Sequence, residues 1–288
     1  MARILVGEVV GSTFRTVFQN LGLFLRAVGV FSVASALIGL LVALRTQSTL
    51  TDVIAQVRQG AKPFQAMLPS LAGAVAVGVV GFLVGIASFL VASVVAARLE
   101  EGRRLSLREA WAEAGSRYGN LAITGLLVFL LLAAILLLGA LLSILILPFF
   151  LALGLIVALG LRWSIAGAVG VFERRSPGGN LTRSRDLTKG SRGAILGALI
   201  LVCLVFVVPE MAVGIPFDIV SRAQARQGLP PPMGLTLANW AVTAVAGFFG
   251  TCLWAAFNAV VYRRLAASEP SAEAPPAPEP TLGPIGGP

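Results

Sequence analysis

The chain has 288 residues, 57% hydrophobic and only 12% charged, with a net charge of +9 and a mean hydropathy of +0.90. Soluble domains carry roughly 25% charged and about 45–50% apolar residues, so a water-soluble fold would have to bury nearly every side chain, and a bilayer is the simpler solvent. The apolar runs leave no room for a basic soluble domain, which argues against a nucleic-acid partner, and the absence of histidine removes the usual proton shuttle and the commonest metal ligand.

The opening stretch, MARILVGEVVGSTFR, lacks a long apolar run and a small-residue cleavage site, so the first hydrophobic segment is expected to direct insertion itself. A helix needs about 20 apolar residues to cross the hydrocarbon core. Spans are therefore predicted over residues 21–44 and 71–97. Residues 121–172 are one apolar block, too long for a single crossing. Pro148 is its natural break, because proline removes a helix donor and crowds the preceding turn. That gives spans at 121–146 and 149–171, followed by 193–216 and 236–262. The predicted fold is all-α, an integral membrane bundle of about six transmembrane helices over residues 1–266. Residues 267–288 are rich in proline, alanine and glutamate, and are predicted to be a disordered tail.

Basic residues set the predicted orientation. With both termini cytoplasmic, fifteen Lys and Arg fall in the inner segments and five in the outer ones. That bias favours both termini on the cytoplasmic side.

A threefold repeat is suggested by short segments before the odd-numbered spans. Leu107, Trp111, Ala114, Tyr118 and Leu121 share one helix face. A shift of 100 residues maps Phe14, Phe18, Asn20 and Leu21 onto Ala114, Tyr118, Asn120 and Leu121. A third copy begins near Leu181, with Arg185 and Arg192 at the aromatic positions. The unit would be an interfacial amphipathic helix, its aromatic face dipped into the headgroups, followed by two spans.

Arg162 is the most pointed single feature. Counted back from Glu173 along a continuous helix it lies roughly 16 Å deep, near the midplane of a core about 30 Å thick. One reading is a contact for an anionic group. The other is that the span ends near Leu161 and RWSIAGAV is a re-entrant or interfacial helix anchored by Arg162 and Trp163. Arg26 lies close enough to its span's end to snorkel. Ala74, Gly78, Gly81, Gly85, Ser88 and Ala92 form a smooth stripe, expected to be a helix–helix seam because small residues let backbones approach in lipid. Cys203 and Cys252 lie at similar distances from their basic ends and are expected to pack as small hydrophobes. Asn258 and Tyr262 are spaced i, i+4, and Glu210 and Asp218 fall near the outer end of the fifth span. The pattern contains no acid pair, no metal-ligand spacing and no nucleophile beside a base, so no catalytic residue, metal or cofactor is expected.

Three stretches resemble a group of bacterial polytopic proteins similar to the membrane domain attached to some glycerophosphodiester phosphodiesterases. They are VGEVVGSTFRTVFQNLGLFL, RWSIAGAVGVFERRSPGGNLTRSRDLTKG and AVVYRRL. The resemblance marks Glu173, Arg183, Ser184, Leu187 and Gly190 as motif positions. It does not carry over hydrolysis, since no phosphodiesterase domain is recognisable in the chain. The expected function is a non-enzymatic membrane protein that binds anionic lipid or a protein partner through a basic cytoplasmic face. Its candidate anion contacts are Arg162, Arg174, Arg175, Arg183, Arg185, Lys189 and Arg192. The alternatives are a small permease or lipid transporter with Arg162 in its pathway, and a membrane-embedded enzyme.

Overall fold

The computed structural model describes residues 5–58, 63–141, 146–226 and 233–268, and among them every regular element is an α-helix. In chain order these are α1 (Val6–Gln19), α2 (Leu21–Arg58), α3 (Pro63–Glu100), α4 (Leu107–Leu141), α5 (Ile146–Trp163), α6 (Ala166–Phe172), α7 (Pro177–Thr188), α8 (Arg192–Arg226) and α9 (Met233–Ala267). The side chains of Ala74, Glu210 and Asp218, and the tail from residue 269 onward, lie outside the described residues.

Local chemistry sets several boundaries. α3 stops in a Schellman motif: Gly102 adopts φ +74°, its N–H donates to the Leu99 carbonyl, and the Arg103 N–H donates to that of Arg98. Glycine tolerates this left-handed backbone because it has no Cβ. α4 starts on a capping box, with Ser106 Oγ accepting from the Glu109 N–H and Glu109 accepting from the Ser106 N–H. α7 starts on Ser176, whose Oγ accepts from the Gly179 N–H, with Pro177 in the first helical turn. α5 begins two residues before Pro148, where a missing donor costs nothing.

Five helical stretches are long and apolar enough to cross a membrane, and a sixth follows if the pair α7–α8, bent by 99°, is taken as one span. The chain is thus a multi-pass helical membrane bundle. Large apolar side chains such as Leu25 and Leu41 on α2, Phe129 and Leu130 on α4, and Leu151 on α5 point outward. In water each would forfeit roughly 1.5–3 kcal/mol of burial; in hydrocarbon the cost vanishes. α9 is the centre: 56% of its apolar window is buried against 11% for α4. Phe24, Leu90, Val94, Cys252 and Ala256 fill one core between α2, α3 and α9. Val9, Ile165, Val169, Ile195, Phe257 and Val261 fill a second, where α1, α5, α6 and α8 meet α9.

Two expectations are corrected. The second short segment is no separate interfacial helix: α4 runs unbroken from Leu107 to Leu141. The segment's two aromatic residues are hydrogen-bonded to neighbouring helices, although Trp111 stays 41% exposed. Trp111 Nε1 donates to the Ala27 carbonyl at 3.1 Å and Tyr118 Oη to that of Leu83 at 3.0 Å. The matching residue Asn20 does interrupt the chain, donating through Nδ2 to the Thr16 carbonyl, whereas Asn120 turns its side chain away to another segment.

The small-residue stripe of α3 does not close into a tight seam. Gly78 and Gly85 are exposed and have no atom within 4 Å of where a Cβ would stand, and Gly81 only touches Ile38 at 3.9 Å. Ser88 and Ala92 are buried. Gly85 and Ser88 line a cavity of about 270 Å³ between α2, α3 and α9, with Ser35, Gly39, Trp240 and Thr251.

The close approach lies elsewhere. A Cβ on Gly170 of α6 would sit 2.6 Å from Leu121 Cδ2 and 2.9 Å from Asn180 Nδ2. Gly170→Ala is therefore expected to destabilise the protein by about 1–3 kcal/mol through overpacking. Gly115→Ala, on the open face of α4 with nothing within 4 Å, is expected to stabilise it by up to about 1 kcal/mol. Thermal unfolding of both variants in one detergent checks the contrast.

Candidate functional site: a polar belt at the basic end of the bundle

One end of the bundle is tied by a closed circuit of polar contacts. Arg264 on α9 pairs with Glu8 on α1 at 2.6 Å. Thr16 on α1 donates to Glu100 on α3 at 2.7 Å. Arg98 on α3 grips Glu113 on α4 through both Nε and Nη2, the two-point geometry that suits a guanidinium to a carboxylate. Asn120 on α4 donates to the Arg175 carbonyl in the α6–α7 linker at 2.8 Å. Tyr262 on α9 donates to Glu173 at the start of that linker at 2.9 Å. The circuit thus returns to α9.

Glu173 is the most connected carboxylate of the belt. It accepts from Arg175 Nε at 2.5 Å, Arg183 Nε at 2.9 Å and the Tyr262 hydroxyl. The Tyr262 ring stacks on Phe172 with centroids 4.4 Å apart. Burial opposes ionisation of Glu173, but the hydrogen bonds from Arg183, Tyr262 and Arg175 outweigh it and hold the carboxyl below its usual range. Glu113 holds a second knot, accepting from Arg117 as well as Arg98. Arg117 is 7% exposed, and its Nε and Nη1 are enclosed without a partner. Arg174, close enough to act electrostatically on both residues of that knot, adopts φ +52°, an uncommon conformation for a residue with a Cβ.

α7 buries a polar face. Asn180, Ser184 and Thr188 are each fully enclosed, beside Leu187. Asn180 Nδ2 donates to Asn120 Oδ1 at 2.8 Å and Thr124 Oγ1 at 3.2 Å. Ser184 and Thr188 both donate to the Arg162 carbonyl, at 3.1 and 3.3 Å. That carbonyl needs them because the helix breaks after Trp163. Irregular backbone in a span is tolerated where protein supplies the missing partners.

The candidate span continues through this break, from Phe150 to Phe172, so Arg162 lies within it. α7 packs beside α5 and α6, and Arg185 and Lys189 are the exposed neighbours of the Ser184 and Thr188 that hold the Arg162 carbonyl. Within residues 166–172, Ala166, Ala168, Val169, Gly170 and Val171 are buried among neighbouring helices. Arg162 is half-buried with Nε enclosed and unpartnered, and it is not among the residues lining the α2–α3–α9 cavity.

The seven candidate cations separate. Arg183 and Arg175 are bound to Glu173. Arg185 lies 4.0 Å from Asp186. Arg174, Lys189 and Arg192 are exposed. The motif positions converge: Glu173 on Arg183, Ser184 on the Arg162 carbonyl, Leu187 in the core, and Gly190 at φ +87° in the turn between α7 and α8. Arg26 is exposed on the outer surface of α2, Cys203 is exposed and Cys252 buried, both as free thiols. Asn258 donates to the Trp254 carbonyl, leaving its Oδ1 enclosed without a partner. Among the described residues no group of His, Cys, Asp or Glu could hold a metal ion.

Sequence reasoning passed over the Glu113 knot, the Glu8–Arg264 pair and the Asn120–Asn180 contact. The available signal was rarity: in segments this rich in arginine, each acid is the scarce partner. The capping box SLRE, from Ser106 to Glu109, was also legible. No known protein-family model, curated protein or solved structure matches the chain.

Glu173→Gln is expected to cost about 2 kcal/mol at pH 7, the range for hydrogen bonds to a charged group. The folded carboxyl is held low, so its contribution is full above the ordinary glutamate value of about 4.3. It is lost as pH falls through the lower folded value. The gap between wild type and variant should close on acidification below pH 4, as read from unfolding midpoints across pH.

Proposed function

We propose that this chain is a non-enzymatic multi-pass protein of the bacterial inner membrane, with both termini cytoplasmic, that engages anionic lipid headgroups through the basic end of its bundle. One observation carries the reading. Glu8, Glu100, Glu113 and Glu173 are engaged inside the belt, while Arg174, Lys189 and Arg192 stand exposed with no salt bridge among the described residues. Each such cation near an anionic leaflet gains about 1 kcal/mol. The excess of Lys and Arg in these segments supports placing this end in the cytoplasm.

The resemblance to the membrane domain of glycerophosphodiester phosphodiesterases supports the same reading in a limited way. Its motif positions serve here as the clasp that holds the α6–α7 linker and α7 in place, and a rigid clasp presents the neighbouring cations as a fixed surface. The cavity between α2, α3 and α9 favours a permease less than its position suggests. Thr251 and Ser32 return their hydroxyls to carbonyls of their own helices, which leaves its walls chiefly apolar.

The test is lipid selectivity. In discs mixing anionic and zwitterionic lipid, the wild-type protein should retain anionic lipid above the bulk ratio. A variant with Arg174, Lys189 and Arg192 changed to Gln should lose most of that enrichment. Unchanged enrichment would refute the basic-face reading, and turnover of glycerophosphodiesters by the purified protein would overturn its non-enzymatic part.

A further inference from the structure

A second concentration of charge lies apart from the α6–α7 clasp. Between the α1–α2 elbow and the end of α3 is a cavity of about 250 Å³, lined by Arg15, Thr16, Gln19 and Asn20 on one side and by Leu99, Gly102, Arg103 and Arg104 on the other, with the Thr16 hydroxyl bonded to Glu100. None of these three arginines forms an ion pair or hydrogen bond among the described residues. The nearby carboxylates have hydrogen-bond partners of their own, although Glu109 lies close enough to Arg103 to feel its charge. Glu100 accepts from Thr16, Glu101 pairs with Arg98 at 2.6 Å, and Glu109 folds back onto Ser106.

The walls are fixed as well as basic. Arg103 and Arg104 leave α3 directly from its Schellman turn, whose left-handed Gly102 pins the loop. Asn20 locks the opposite wall through its bond to the Thr16 carbonyl. The C-termini of α1 and α3 each bring roughly half a negative charge. The N-terminus of α2 offsets one of them, so the three guanidinium charges exceed what the helix ends contribute. Arginine forks match phosphate oxygens two at a time. Phe18 and Leu25, 52% and 58% exposed, place apolar surface on the helices that form the elbow, a setting suited to a phosphate that carries acyl chains.

The geometry points to a discrete phosphate-binding site at Arg15, Arg103 and Arg104, taking the headgroup phosphate of an anionic lipid. This rests on the reading of the basic end as a lipid-facing surface and adds a defined pocket to it. The full chain is reconstituted in discs of phosphatidylglycerol and phosphatidylcholine, and lipid that survives transfer to detergent is counted by native mass spectrometry. The site variant is R15Q/R103Q/R104Q, and the charge-matched comparison is R185Q/K189Q/R192Q. All six side chains are exposed, so folding is not at stake.

The wild type should keep a bound phosphatidylglycerol. The site variant should lose it by roughly tenfold or more. The comparison variant should keep it while losing bulk enrichment. Equal loss in both variants, or enrichment without a retained lipid, overturns the pocket and leaves the basic-face reading standing. No enrichment in the wild type overturns both. A parallel phosphorus NMR titration with inorganic phosphate, in discs of phosphatidylcholine alone, separates the sources. Binding there that depends on the three arginines supports the site and assigns it a soluble phosphate.

Discussion

Bundles of apolar helices in a bilayer have little to hold them in register, because hydrocarbon solvates a leucine as well as a neighbouring helix does. The circuit of polar contacts at one end supplies what the apolar surfaces lack. Arg264 to Glu8, Thr16 to Glu100, Arg98 to Glu113, Asn120 to the Arg175 carbonyl and Tyr262 to Glu173 join α9, α1, α3, α4 and the α6–α7 linker into a ring. Each bond has an orientation, so together they fix rotation and height. The apolar stripes of α3 and α9 fix neither, since small and branched residues pack in many registers.

The same circuit shapes the surface. Carboxylates are scarce in the chain and arginines plentiful. Glu8, Glu100, Glu113 and Glu173 are committed to holding helices together. Structure and surface charge are thus one arrangement: with those acids engaged in the ring, Arg15, Arg103, Arg104, Arg174, Lys189 and Arg192 form no salt bridge among the described residues. An exposed pair adds little stability, commonly 0–1 kcal/mol. The half-buried knots at Glu113 and Glu173 carry more, because their partners would otherwise be left charged and poorly solvated.

The α5–α6 break shows the same economy. A helix interrupted inside an apolar segment strands carbonyls that lipid cannot satisfy. α7 answers with an inward polar face, Ser184 and Thr188 meeting the Arg162 carbonyl while Asn180 reaches Asn120 and Thr124. Gly170 makes the approach feasible, for any side chain there would strike Leu121 and Asn180. Arg162, conspicuous in the sequence as a cation within an apolar span, is the residue whose carbonyl Ser184 and Thr188 hold.

By itself the sequence determined the class: an all-helical membrane bundle, with its spans near the predicted residues and its positive charge gathered in alternate connections. Hydropathy over twenty residues is a local property, and a bilayer converts it directly into a helix. Tertiary structure decided what depends on partners distant in the chain. Asn20 and Asn120 occupy matching positions in similar local sequence. One breaks a helix and the other continues it, because only Asn120 has the Arg175 carbonyl and Asn180 within reach. The stripe at Gly78, Gly81 and Gly85 reads as a close seam, but beside Gly85 and Ser88 the facing parts of α2 and α9 include small residues such as Ser35, Gly39 and Gly247, and a cavity remains. Hydrophobic pattern specifies which faces avoid water; which polar atom finds which partner is settled only when the whole end of the bundle has closed.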